Sequence, residues 1–398
     1  MITPLRVGIF GVGRMGGVHL EHLVRLHEAG QIELAAIGDR WPPFLESARA
    51  QVPDSAAVVS SPEAMIDAGL DAAVVVSRTG DHARDILAFV RRGIPVLVEK
   101  PMVRTVAEAE AIVRELGAAG ERLVQVAFQR HYDEATRFAA AWCARGTIGD
   151  LQQSHHVLQD KNPTPVGYDS CGITADMAIH LVYEAMSVRA FELPRTVQAL
   201  QFMAPPYEDR AREGANIVHV FCQWPNGSLA HLWGSRINGT GYDNGFTLTG
   251  TEGRIDVGAF VGDFGPIAAR LWQGTGSHPG PRGVLAESRE FAMTPSRPGH
   301  PDFYPRFAAA YEAELREFVR RVAAGAALDP GLEVGWKTLL VANLAEASAR
   351  QGGRRFELSR PDGRPIASAA EAAEFAAVTM SALEAPAIVH QESHETAR

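Results

Sequence analysis

The 398-residue chain has only three cysteines, Cys143, Cys171 and Cys222, far apart and in no C-x-x-C arrangement. An odd, scattered set argues against a disulfide framework and against a cysteine-rich zinc site. These residues are expected to be buried thiols in a reducing cytoplasm. Clustered basic charge is also missing: 38 Lys and Arg stand against 47 Asp and Glu, a net charge of −9. A nucleic-acid partner requires a concentrated positive face, so none is expected. No run approaches the roughly 20 apolar residues of a membrane span, so no membrane partner is expected either. The start, Met1-Ile2-Thr3-Pro4-Leu5-Arg6, has no charged segment leading into a long apolar one, and no signal peptide is expected. Metal-ligand spacing is lacking among the 14 histidines. His155 and His156 would point to opposite faces of a strand and read as ordinary strand residues, with no metal site.

What remains is a globular composition, 46% apolar and 21% charged, long enough for two or three domains. The first third alternates short apolar runs with helical patterns, the signature of a parallel sheet built from βαβ units. Leu5–Phe10, Ile32–Ile37, Val74–Val76, Ile94–Val98 and Leu123–Phe128 read as its strands. A helix runs from about Gly16 to Glu28. Another is expected over Thr105–Leu116, with Thr105 as N-cap and Glu108 three residues on. The pattern then changes. Helices are expected over Arg137–Arg145, Asp176–Val188, Phe307–Ala324 and Gly335–Arg350. Strands are expected over Leu151–Leu158, Thr196–Phe202, Ile217–Trp224, Leu229–Ile237, Gly245–Gly250 and Arg254–Val257. Trp224-Pro225-Asn226-Gly227 carries the Asn-Gly pair typical of a hairpin turn. The fold class is therefore α/β: a dinucleotide-binding domain over residues 1–127, then an α+β domain over 128–358 with a mostly antiparallel open sheet. Residues 359–398 form a tail in which Ser368–Ala385 could make one helix, capped by Ser368 and Glu371 and stopped by Pro386. Phe375, Val378 and Leu383 would share a narrow face, on a loosely held tail or on a helix docked to a neighbouring subunit.

Gly11-Val12-Gly13-Arg14-Met15-Gly16 follows a strand and opens a helix. Gly11 makes the tight turn, Gly13 lets the backbone approach a pyrophosphate, and Gly16 lets helix and strand pack closely. The pyrophosphate would rest at the positive end of the helix. Asp39, at the end of the second strand, would accept hydrogen bonds from the adenosine ribose and repel a 2′-phosphate. That favours NAD, although neighbouring Arg40 leaves NADP open.

Three further residues carry chemistry. Lys100, in Val98-Glu99-Lys100-Pro101, ends a buried strand at the sheet edge where ligands bind in open α/β sheets. Asp176 and His180 are four apart on an expected helix and share a face. Histidine titrates near neutrality and suits removal of a hydroxyl proton, and an adjacent carboxylate would orient the ring and favour the imidazolium.

These motifs resemble the glucose–fructose oxidoreductase/inositol dehydrogenase (Gfo/Idh/MocA) family, closest to its myo-inositol 2-dehydrogenase-like enzymes. The resemblance covers roughly residues 5 to 355. It rests on Gly11–Gly16, Glu99-Lys100-Pro101, Gln129-Arg130-His131-Tyr132-Asp133 and Gly146-Thr147-Ile148-Gly149-Asp150. It continues through Lys161-Asn162-Pro163, Asp176-Met177-Ala178-Ile179-His180, and Gly241-Tyr242-Asp243 ahead of Gly250-Thr251-Glu252-Gly253. The resemblance implies a Rossmann first domain and an NAD-dependent oxidoreductase acting on a cyclitol or sugar hydroxyl. In it His180 is the acid/base, Asp176 its partner, and Lys100 holds the reacting oxygen. Lys161 and Asn162 would contact substrate hydroxyls, and Arg130 and Tyr242 would line the site or serve structure. Ser77, His82 and Glu99 would lie near the cofactor. Homo-oligomers, dimers or tetramers, are also implied. One departure stands out: the family places an acid three residues after the histidine, where this chain has Tyr183, so the recognised hydroxyl pattern would differ. Two other classes stay open, an NAD-dependent glycoside hydrolase and a non-catalytic sugar or nucleotide sensor. Intact Lys100, Asp176 and His180 argue against the sensor.

Overall fold

The computed structural model describes residues 4–161, 171–204, 215–258, 266–274, 283–295 and 297–381. Six strands form the first sheet: β1 Leu5–Phe10, β2 Ile32–Gly38, β3 Ala57–Val59, β4 Ala72–Val75, β5 Val96–Glu99 and β6 Val124–Ala127. Their spatial order is β3-β2-β1-β4-β5-β6, and every pair is parallel. Helices α1 Arg14–Glu28, α2 Pro42–Arg49, α3 Pro62–Asp67, α4 Thr79–Val90, α5 Val106–Leu116 and the short α6 Gly120–Leu123 connect them. Helices on both faces explain why β4, β5 and β6 are buried at every residue and read as unbroken apolar runs. Thr105 and Glu108 form the expected reciprocal cap on α5. Strand order reverses between β1 and β4, which opens a crevice outside the carboxyl ends of these strands.

The second sheet has nine strands: β7 Leu151–Gln159, β8 Thr196–Phe202, β9 Ile217–Gln223, β10 Leu229–Ser235, β11 Asp243–Gly250, β12 Gly253–Val257, β13 Ile267–Gln273, β14 Val284–Phe291 and β15 Phe356–Glu357. Their order is β14-β13-β12-β11-β7-β10-β9-β8-β15, antiparallel except for the β7–β10 pair. The expected hairpin joins β9 to β10: Trp224 donates its N–H to the Ser228 carbonyl at 2.9 Å, and Gly227 takes φ +85°. Five further α-helices lie among the described residues: α7 Glu134–Ala144, α8 Ile179–Ser187, α9 Tyr304–Ala324, α10 Leu332–Arg350 and α11 Ala369–Ser381.

One face of the second sheet packs on α8 and α10 through Val197, Ala199, Val218, Val220, Ala230 and Leu232. The other is open and carries His155, His219, Phe221, His231 and Trp233, with rings in contact from strand to strand. His155 and His156 thus face opposite ways, and His156 is sealed inside. Long α9 returns to the first sheet, where Leu315 and Phe318 join the core formed by β1, β2 and α1.

Two expectations change. Helix α11 packs on α5 and α10 of its own chain, burying Ala369, Ala372 and Ala376 beside Phe375. Val378 is exposed, because alanines rather than the larger side chains make the close contact. Pro386 and Leu383 lie outside the described residues. Of the three cysteines only Cys222 is buried, while Cys143 and Cys171 are half-buried.

Candidate active site

The crevice begins with the glycine loop. Gly11 has φ +97°, and a Cβ there would lie 2.3 Å from the Val76 carbonyl carbon. At Gly16 a Cβ would lie 2.1 Å from the Gly11 carbonyl oxygen. Both positions are therefore closed to any side chain. Gly13 is the N-cap of α1, with no side-chain cap and no acid in the first turn, so the positive helix end faces the crevice uncovered. Arg14 is exposed on that turn and Met15 is half-buried. These features fit a bound dinucleotide pyrophosphate.

Asp39 braces the loop. Its carboxylate accepts the N–H of Val12 and the N–H of Trp41, each at 2.8 Å. Arg40 turns the other way, forming a two-point ion pair with fully buried Asp85 on α4 at 2.9 and 2.5 Å. Its guanidinium also covers the Phe10 ring. Ser77 donates its hydroxyl to the same Asp85 at 2.6 Å. One turn earlier on α4, the His82 ring lies between the Ser77 and Pro101 carbonyl oxygens at 2.9 and 3.0 Å, and its pKa is lowered by burial. Glu99 faces inward: one oxygen meets His19 Nε2 at 2.9 Å and the other accepts the Lys100 N–H at 2.9 Å. Burial alone would raise the Glu99 pKa, and the His19 hydrogen bond with the His19 and Lys100 charges carries it lower. Ser77, His82 and Glu99 thus engage the protein itself around the crevice. The resemblance places all three at the cofactor; Asp85, which holds Ser77, and His19, which holds Glu99, carry no local signal in the sequence.

The second cluster lies where β5 ends. Lys100 Nζ donates to the Asp176 main-chain carbonyl at 2.6 Å and stands 3.5 Å from its carboxylate. Asp176 sits in a π-helical turn, Thr174–Ala178, that leads directly into α8 and His180. Such wide turns recur at functional sites because they re-aim side chains. Arg236, just beyond β10, donates Nη2 to the other carboxylate oxygen of Asp176 at 2.6 Å. This corrects the expected pairing of Asp176 with His180. Two full positive charges hold a carboxylate more strongly than a neutral imidazole does. The His180 ring is buried, and its Nδ1 has no hydrogen-bond partner. Burial, then the nearby charges of Lys100 and Arg130, push its pKa well below the usual value.

Arg130 is fully buried, paired with Glu184, whose other oxygen meets His156 Nδ1 at 3.2 Å. It also stacks on Phe307. Its charge reaches His180 from inside the core. Tyr183 is buried too: its ring stacks on Phe128, and its hydroxyl is 2.7 Å from His131 Nδ1. Tyr242 lines a shallow pocket with Asn244, Asp302 and Arg306, and burial raises its pKa. Lys161 pairs with Asp302 at 3.3 Å on that pocket's rim. Asn162 lies outside the described residues. Arg236 and Glu184 escaped sequence reading, although a charged residue closing the strand Leu229–Ser235 was a readable signal for the first. Among the described residues, no group of three or more His, Cys, Asp or Glu is arranged to hold a metal ion.

Comparison with known proteins agrees with this architecture. The GFO/IDH/MocA oxidoreductase family, NAD-binding Rossmann fold, matches residues 5–128, and the GFO/IDH/MocA C-terminal domain matches residues 136–256. An inositol 2-dehydrogenase of Rhodococcus jostii is 26% identical over 326 residues, 81% of this chain and 83% of that protein. A myo-inositol dehydrogenase structure from Corynebacterium glutamicum is 27% identical with a TM-score of 0.72, covering 90% of this chain and 99% of that one. The fold is shared as well with a Lactobacillus casei scyllo-inositol dehydrogenase solved with NAD(H) and scyllo-inositol, 21% identical, TM-score 0.72, covering 89% of this chain and 99% of that one. With both halves matched over more than half its length, the chain belongs to the Gfo/Idh/MocA family of oxidoreductases and carries that family's NAD-binding Rossmann domain.

Proposed function

We propose that this protein is an NAD-dependent dehydrogenase that oxidises a ring hydroxyl of a cyclitol or sugar to the ketone, or catalyses the reverse. The observation that carries the reading is the meeting of Lys100, at the end of β5, with Asp176 on the turn leading into His180. The inositol dehydrogenases named above support the substrate class. Bound NAD supplies the hydride acceptor, or the donor in reverse.

His180 then acts as the acid/base. Its imidazole is kept neutral by burial and by the neighbouring cations, so a free nitrogen stands ready for the hydroxyl proton. The Lys100 ammonium donates to the reacting oxygen and favours the negative charge that develops there. Lys161 and Tyr242 serve hydroxyls further along the ring. Tyr183, tied to His131, offers no carboxylate, so the preferred stereoisomer differs from that of an enzyme with an acid in its place. Asp39 and the neutralisation of Arg40 by Asp85 favour NAD over NADP.

The test is nicotinamide reduction by the full chain with NAD or NADP against a panel of inositols, inosamines and pyranoses. One cyclitol or sugar is expected to reduce NAD. His180→Ala is expected to lower kcat by about 10²–10⁴-fold while leaving NAD affinity nearly unchanged. Normal turnover in that variant would remove His180 from the mechanism. Silence across the panel with NAD bound, together with release of an aglycone from a glycoside, would replace the dehydrogenase by a hydrolase.

A further inference from the structure

Three cations, Lys100, Arg236 and Arg130, act on one carboxylate and one imidazole at the foot of α8. Lys100 reaches Asp176 from the end of β5 at two points, the carbonyl oxygen and the carboxylate. Arg236 reaches it from the end of β10 with a 2.6 Å charge-assisted hydrogen bond, and its side chain is only 6% exposed. The Arg236 main chain is itself fixed, its N–H donating to the Asn216 carbonyl at 2.8 Å. His180 is one turn from Asp176 in sequence, yet its Nδ1 stays unpartnered.

We propose that Arg236 is a positioning residue: it holds the Asp176 carboxylate against Lys100 and so withholds it from the His180 ring. This rests on the reading of His180 as the acid/base. A carboxylate free to approach an imidazole favours its protonated form, which cannot accept a proton from a hydroxyl. The guanidinium suits the task because it stays charged at any working pH and its planar fork fixes direction as well as distance. The clamp has a second effect: Lys100, gripping the same residue, is aimed by it.

The other charged and titratable groups on and around α8 do not duplicate this role. Arg130 approaches from the turn after β6 and adds positive charge. On α8 itself Glu184 is committed to Arg130 and His156, the latter from β7. Tyr183 is bound to His131. From α10, Glu346 accepts the Thr174 N–H at 3.3 Å and pairs with Arg350. Asp176 is therefore the carboxylate whose placement decides the charge state of the ring.

The experiment is an NMR pH titration of the histidine rings in the labelled full chain, with the His180 signal identified by its loss in His180→Asn. In Arg236→Gln the His180 ring is expected to titrate about one pH unit or more higher than in the wild type. In an Asp176→Asn background the same Arg236→Gln change is expected to move it by no more than a few tenths. A rise that persists without the Asp176 carboxylate would mean that Arg236 acts through its own charge alone, and the proposal would be wrong. No rise in either background would also overturn it. If Arg236→Gln does not fold, Arg236→Lys keeps the charge without the fork; a smaller upward shift that again depends on Asp176 is expected, and an unchanged titration overturns the proposal. The titration requires no turnover. A chain inert toward every polyol would sink the dehydrogenase reading and leave this result standing, and an active wild type with an unmoved ring would sink only the role of Arg236.

Discussion

The two sheets meet the same problem, burying apolar strands, in opposite ways. In the first, helices cover both faces, and β4, β5 and β6 have no exposed residue. Side chains there are committed to packing, and the candidate site residues Gly11, Asp39 and Lys100 lie at the strand ends. In the second sheet only one face is covered among the described residues, and β9 alternates buried and half-buried residues along its length. Its open face keeps aromatic and imidazole rings in contact with water, while the end of its central strand β10 delivers Arg236 to the crevice. A sheet buried on both sides offers ends, and a sheet buried on one side offers ends and a surface.

Substitutions can sharpen this contrast. The largest effect is expected in the doubly covered sheet: Leu97→Ala, fully buried on β5, should cost about 2–5 kcal/mol in denaturant unfolding. Leu200→Ala, on the open side of β8 and 39% exposed, should stay within about 0.5 kcal/mol. Equal losses would mean that the open face is covered in solution. Next in size is a strand-end change. Gly11→Ala places a methyl against the Val76 backbone at positive φ; the conformation alone costs about 1–3 kcal/mol, the backbone clash adds to it, and NAD affinity should fall with it. Asp39→Ala should lower NAD affinity and narrow the preference over NADP, with a modest fall in melting temperature from the lost hydrogen bonds to Val12 and Trp41. An unaltered preference would remove Asp39 as selector.

The smallest contrast concerns acid. Burial, first of all, pushes both His22 on α1 and His231 on β10 down to about 4. The unfolded chain binds these protons near pH 6.5 and the folded chain near 4, so stability present above 6.5 is lost as pH falls through that window. Replacing sealed His22 by Leu should flatten the fall in melting temperature between those pH values. His231→Leu should flatten it less, because water reaches the open face. The reverse ranking would show the two sites to be solvated alike.

Legibility followed the same division. The inner strands of the first sheet were readable because full burial writes continuous apolar runs. β3, three residues at an edge, left no periodic trace. β14 was missed for a related reason: it is an exposed edge strand, Val-Leu-Ala-Glu-Ser-Arg-Glu-Phe, whose charges discourage further pairing and hide its alternation. Around the site, sequence could name Lys100, Asp176 and His180 but not how they are connected. Spacing put Asp176 and His180 on one face. What decides the carboxylate's partner is a guanidinium 60 residues away, visible only once β10 is folded beside the π turn. The same holds for Tyr183, whose hydroxyl finds His131 across 52 residues.

Helix α4 carries a consequence of its own. His82 and Asp85, one turn apart, grip Ser77 after β4, Arg40 after β2 and Pro101 after β5. Three strand ends are thereby bolted to one rod. These hydrogen bonds oppose independent shifts of the three strand ends, so the mouth of the crevice is braced before any guest arrives. A long, two-headed guest then gives up its own freedom on entry without also having to still the walls.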